Sequence, residues 1–134
     1  NIDSFKILTL ICYEIIFPEL SKTIDEKNLI INISEDAWFG KSIGPYQHFS
    51  KAIFRAVEND VFVARSANKG ISAFINNKGV IEKNLSPDET GAIEMSIPTI
   101  KNSSKKYKKD LIFFILLFTY VFIFLSNKKL NEQK

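Results

Sequence analysis

The sequence predicts a layered α/β domain followed by a C-terminal apolar helix. Three observations carry that reading. Ile7–Ile11 and Leu29–Ile33 are short apolar runs rich in β-branched residues, the pattern of buried strands. Tyr46–Asn59 repeats apolar residues at helical spacing. Leu111–Leu125 carries no charge at all. The chain of 134 residues has room for one ordinary domain or part of a larger one. It starts Asn1-Ile2-Asp3 without a methionine or a signal peptide, and so reads as a segment of something longer.

Taken in order, Lys6 to Ile11 forms the first strand and runs straight into Cys12. Pro18 then interrupts the pattern, and the polar stretch from Phe17 to Asn28 suits a short helix. Leu29–Ile33 is the second strand, and Ser34 to Pro45 a long loop that carries Trp38 and Phe39. Aromatics in a loop are either pinned into a core or line a pocket. In Tyr46–Asn59, Phe49, Ala52, Ile53, Ala56 and Val57 form one apolar stripe, the signature of core packing. Val61–Ala64 and Ile71–Ile75 are further strands. Asn76-Asn77-Lys78-Gly79 is a hairpin turn, since Asn and Gly tolerate positive φ. Val80 and Ile81 begin the return strand, and Ala92–Ile97 alternates like an outer strand.

Charge divides the chain. Residues 1–100 hold ten Lys/Arg and thirteen Asp/Glu, a net of −3. Residues 101–134 hold eight Lys and two acids, a net of +6. The boundaries read as a catalytic unit over 1–100, a basic juxtamembrane linker over 101–110, a transmembrane helix over 111–126 and a basic tail over 127–134. Fifteen uncharged residues make roughly 22 Å of helix, short of the ~30 Å hydrocarbon core, although flanking lysines can snorkel. Lysines beside such a helix read as headgroup contacts rather than a nucleic-acid surface.

Cys12 is the only cysteine, which excludes an internal disulfide. A lone cysteine is either a small core hydrophobe or a nucleophile. At the end of a buried strand it sits where layered α/β folds place their chemistry. Glu14 lies two residues on. His48 has no second His, Cys or paired carboxylate at ligand spacing and reads as a structural polar group at the helix start.

Four segments in this order carry a family resemblance. They are Ile11–Glu19, Asn32–Gly40, Gly44–Phe49 with Arg55–Glu58, and Ala64–Ser72. Together they closely resemble the C-terminal part of the apolipoprotein N-acyltransferases, membrane-embedded members of the nitrilase (carbon–nitrogen hydrolase) superfamily. The resemblance covers residues 5–98. It implies an α-β-β-α sandwich and a Glu-Lys-Cys triad with Cys12 as nucleophile, Glu14 beside it as a second catalytic residue, and the triad Glu and Lys upstream of Asn1. It implies no cofactor and no metal. The Tyr13 N–H would help hold the oxyanion, while Tyr13, Trp38 and Phe39 would line the lipid site. Glu58, Arg65 and Asn68 would support them, although a buried Glu58–Arg65 salt bridge explains that pair as well. Glu35 and Lys69 stand where the family pattern has uncharged polar residues.

The implied partners are a phosphatidylethanolamine-like acyl donor, a diacylglyceryl lipoprotein acceptor and the membrane. The implied location is the bacterial inner membrane, with the catalytic domain on the periplasmic side. Lysine counts around Leu111–Leu125 point to the opposite orientation. Two alternatives stay open: a nitrilase-type amidase, and a non-catalytic membrane-anchored remnant or binding domain.

Overall fold

A computed structural model describes residues 5–98 and the backbone of 109–132, with side chains over 112–125 in the latter. The chain divides into a unit over 1–103 and another over 104–134. The first is built on a five-stranded sheet: β1 (Ile7–Ile11), β2 (Leu29–Glu35), β3 (Phe62–Asn68), β4 (Ser72–Ile75) and β5 (Ile81–Leu85), adjacent in that order. β1, β2 and β3 are parallel, and β4 and β5 continue as antiparallel hairpins. Parallel neighbours need crossovers. The first contains the short helix α1 (Pro18–Ser21), the second the long helix α2 (Gly44–Asn59).

The core lies between α2 and one face of the sheet. Leu8 and Leu10 of β1, Ile30 of β2, Val63 of β3, and Ala73 and Ile75 of β4 pack with Phe49, Ala52 and Ala56 of α2. Ala52 and Ala56 are fully buried, so small side chains set the contact and the helix lies close to the strands. α2 starts with Pro45 in its first turn, where a missing N–H costs nothing. It ends at Asp60 in a left-handed conformation, whose N–H returns to the carbonyls of Ala56 and Val57.

Some expectations are corrected. The short helix expected within 17–28 is present as Pro18–Ser21. The Ser21 and Thr23 hydroxyls donate to the Pro18 and Leu20 carbonyls and compete with helix continuation. β2 and β3 are longer than the apolar runs, because they pair in register from Leu29↔Phe62 to Glu35↔Asn68. The Asn76–Gly79 turn forms as expected, with Gly79 at φ 80° and the Asn76 N–H donating to the Val80 carbonyl. Ala92–Ile97 forms no strand. There the Lys83 ammonium takes the Glu94 carbonyl at 2.7 Å, an acceptor that a ladder would otherwise use. The second sheet layer of the expected sandwich is not among the described residues.

The second unit contains α3 (Lys109–Glu132), 24 residues of helix. Its side chains from Ile112 to Leu125 are exposed, and the Thr119 hydroxyl is satisfied internally by the Ile115 carbonyl. Among the described residues, no helix is long and apolar enough to cross a membrane. The transmembrane span expected over 111–126 is therefore not supported. The uncharged run stops at about 22 Å of helix, well below a bilayer's apolar thickness. The linker expected over 101–110 lies outside the described residues up to 108, as do the side chains of the 127–134 tail.

Candidate active site

β1 delivers Cys12 directly into a tight 3-10 turn, Cys12–Ile16. Cys12 has φ 49°, a left-handed conformation that is costly for any residue with a Cβ. The turn is fixed from within: a Glu14 carboxylate oxygen accepts the Ile11 N–H at 2.7 Å, and the Phe17 N–H donates to the Glu14 carbonyl. Glu14 is thus occupied as the clamp of the turn. The half-buried Cys12 thiol lies 3.8 Å from the Glu35 carbonyl and 3.8 Å from the Ser34 hydroxyl.

Beneath the turn lies a buried polar network formed by the ends of β2 and β3 and the first turns of α2. Arg65 spreads its guanidinium over three partners. Nη2 donates to Asp36 Oδ2 at 2.7 Å, Nη1 to Asn32 Oδ1, and Nε to the Ile71 carbonyl at 3.3 Å. The second Asp36 oxygen accepts the Ser34 hydroxyl at 2.8 Å and faces His48 Nδ1 at 2.9 Å. An ionised Asp36 can only accept, so this contact is a hydrogen bond in the tautomer with the proton on Nδ1; the 3.3 Å approach of Arg65 Nη2 to the same nitrogen is then a close contact and not a hydrogen bond. His48 Nε2 is buried without a hydrogen-bond partner among the described residues.

Burial alone would raise the Asp36 pKa. The hydrogen bonds from His48 and Ser34 and the charge of Arg65 outweigh it and hold the carboxyl below its usual range. Burial pushes the Arg65 pKa down, against Asp36 and the Cys12 thiol, which raise it. An arginine in such a setting stays charged at neutral pH.

Above the network stand aromatic rings. Trp38 and Phe39 stack with centroids 3.9 Å apart, and the Tyr13 ring meets Trp38 edge-on at 6.4 Å. Tyr13 and Trp38 are 48% and 64% exposed, so they are not consumed by the core. A cleft of about 310 Å³ opens beside them, with Tyr13, Ile16 and Phe39 on one side and Gln47, His48 and Lys51 of α2 on the other.

The structure therefore gathers Cys12, Tyr13, Glu14, Trp38, Phe39, Arg65 and Asn68 at one end of the sheet. Asn68 donates from Nδ2 to Glu35 Oε2 at 2.7 Å, and its carbonyl receives the Asp36 N–H. Glu58 is not part of this group. It pairs with Arg55 on α2 at 3.1 Å, while Arg65 pairs with Asp36, so the expected Glu58–Arg65 bridge does not form. Sequence reasoning missed Asn32, Ser34 and Asp36. Asn32 was a visible signal, as the one polar residue inside the apolar run Leu29–Ile33. His48 is a buried polar group as expected, but its partner Asp36 was not foreseen. Among the described residues no cluster of His, Cys, Asp or Glu is arranged to hold a metal ion.

Residues 2–109 match the family described as carbon-nitrogen hydrolase. The chain belongs to that family. A relative named apolipoprotein N-acyltransferase, from Rickettsia bellii, is 44% identical over 131 residues, 97% of this chain and 26% of its own length. One of the same name from Rickettsia prowazekii is 45% identical over 132 residues, 94% of this chain and 25% of its own. Another from Rhizobium leguminosarum bv. trifolii is 51% identical over 89 residues, 66% of this chain and 17% of its own. The chain thus spans about a quarter or less of the length of these curated relatives. The solved amidase from Nesterenkonia sp. aligns over 61% of this chain and 34% of its own, with 19% identity and a TM-score of 0.47.

Proposed function

We propose that this chain is the nucleophile-bearing part of an apolipoprotein N-acyltransferase. The carrying observation is Cys12, set in a strained turn at the end of β1 over a buried Asn32–Arg65–Asp36 network, in a chain whose relatives bear that name. Strain of this kind persists where surrounding structure enforces it, and it concentrates at functional sites.

In the proposed reaction the Cys12 thiol gives its proton to a glutamate outside this chain. The thiolate attacks the ester carbonyl of a phosphatidylethanolamine-like donor. A lysine outside this chain and the Tyr13 N–H stabilise the oxyanion, the C–O bond breaks, and the glutamate returns its proton to the leaving alkoxide, which departs as the lysophospholipid alcohol. The resulting thioester is attacked by the α-amine of a diacylglyceryl-cysteine lipoprotein. A C–N bond forms, the C–S bond breaks and the thiol is restored, the two-step course of nucleophilic catalysis. Tyr13, Trp38 and Phe39 form the wall for the aliphatic chain, which suits the exposure of Tyr13 and Trp38 and the half-buried ring of Phe39 stacked on Trp38. Glu14, Arg65 and Asn68 hold the turn and loop that carry these groups. The exposed apolar side chains of α3 from Ile112 to Leu125 support contact with lipid; the bacterial inner membrane, with the catalytic unit on its periplasmic side, is proposed on the family resemblance alone.

The test uses the full-length protein with phospholipid and no acceptor. The Cys12 peptide gains one acyl mass, which hydroxylamine removes, and Cys12→Ala abolishes the gain. Acylation that survives Cys12→Ala overturns the proposal.

A further inference from the structure

Asparagine is disfavoured inside strands, yet Asn32 is fully buried in the middle of β2. Strand register puts it in one row between Leu10 of β1 and Arg65 of β3. Its amide is used at both ends. Nδ2 donates to the Leu10 carbonyl at 3.0 Å and the Cys12 carbonyl at 3.3 Å, while Oδ1 accepts from Arg65 Nη1. The reversed amide would set its oxygen against two carbonyls and its NH₂ against a guanidinium, so the orientation is fixed. The two carbonyls flank the place where the chain leaves the extended conformation of β1 and turns left-handed at Cys12. A non-glycine residue held there is strained and needs outside support.

We infer that Asn32 is a positioning residue: it bridges the Leu10 and Cys12 carbonyls and thereby sets both the nucleophile and the adjoining Tyr13 N–H. The second effect follows from peptide planarity. The Cys12 carbonyl and the Tyr13 N–H belong to one planar trans peptide and point in opposite directions. Anchoring the carbonyl below aims the N–H above. Arg65 fixes Asn32, and Asp36, itself held by Ser34 and His48, fixes Arg65. The role of the Tyr13 N–H as oxyanion donor rests on the acyltransferase reading, whereas the setting of the thiol does not.

The experiment compares Asn32→Asp and Asn32→Ala with wild type in the full-length protein. Asn32→Asp keeps the volume and an acceptor for Arg65 but loses the two donated bonds. Three quantities are measured: thermal midpoint, thioester formation on Cys12 from phospholipid, and alkylation of the Cys12 peptide by iodoacetamide at fixed pH. A displaced oxyanion donor lowers thioester formation about 100-fold with the phospholipid KM unchanged. Alkylation develops no oxyanion, so its rate falls less than ten-fold. Thioester formation within three-fold of wild type in either folded variant overturns the inference, as does a loss of alkylation that parallels the loss of acylation. If wild type forms no thioester, the acyltransferase reading fails. The alkylation rate at fixed pH then decides alone: a rate that falls in folded Asn32→Ala supports the positioning role, and an unchanged one overturns it.

Discussion

Asp36 is a fully buried carboxylate whose stability contribution depends on pH in a definite direction. Its folded pKa is depressed by His48, Ser34 and Arg65 against the cost of burial. A depressed carboxyl stabilises the fold above its unfolded value of about 3.9, and that contribution is lost as pH falls through the folded value. Asp36→Asn removes the charge and leaves Arg65 buried without its counter-ion, which costs about 3–5 kcal/mol near neutrality. Urea midpoints of wild type and variant should lie far apart at pH 7 and converge as the pH drops below about 4. A gap of constant size across that window means that Asp36 is not the group that titrates.

At the scale of elements, the turn between β3 and β4 constrains that same carboxylate. A Cβ added at Gly70 meets Asp36 Oδ2 at 2.2 Å and Asp36 Cγ at 2.7 Å. Neither neighbour can yield, because Asp36 is tied to Arg65, Ser34 and His48. Gly70→Ala is expected to destabilise by about 1–3 kcal/mol, the ordinary cost of overpacking, read as a lower urea midpoint. The loop after β2 is held in a similar way. Glu35 accepts the Ala37 N–H on one oxygen and Asn68 Nδ2 on the other, at 2.8 and 2.7 Å. Glu35→Ala frees the turn under Trp38 and Phe39. Trp38 emission should become more readily quenched by acrylamide while the urea midpoint shifts little, since the clamp is exposed. These contacts also show what the sequence could reveal. Apolar runs and a helical stripe located β1, β2 and α2 closely, because burial leaves a periodic trace. The Asp36–Arg65 pair is separated by 29 positions and left no such trace. The two meet only because parallel pairing over Leu29↔Phe62 to Glu35↔Asn68 carries both to the same end of the sheet. Glu58 was the plausible partner on charge and proximity in sequence, and Arg55, three residues away on the same helix, takes it instead.

At the scale of the whole molecule, one face of the sheet is covered by α2, and the other is open at β1 and the end of β2, with residues 91–93 beside its β3 and β4 strands. Leu8 and Leu10 point into the core, whereas Ile7, Ile11 and Ile33 are 43%, 64% and 55% exposed. β1 also stands at the edge of the sheet, with one side unpaired among the described residues. Parallel strands are normally covered on both faces, and an apolar edge invites pairing with another chain. We read this face as the seat for a second sheet, which is not among the described residues. The same substitutions should then act in opposite directions in two contexts. With residues 104–134 removed, so that α3 cannot contribute, the remaining chain should associate in size-exclusion chromatography with light scattering. Ile11→Ser combined with Ile33→Ser should shift it towards monomer. In the full-length protein that double variant should lose about 2 kcal/mol or more, because the isoleucines are buried there. If the double variant leaves full-length stability unchanged, the face is open in the intact protein as well, and no second sheet is seated on it.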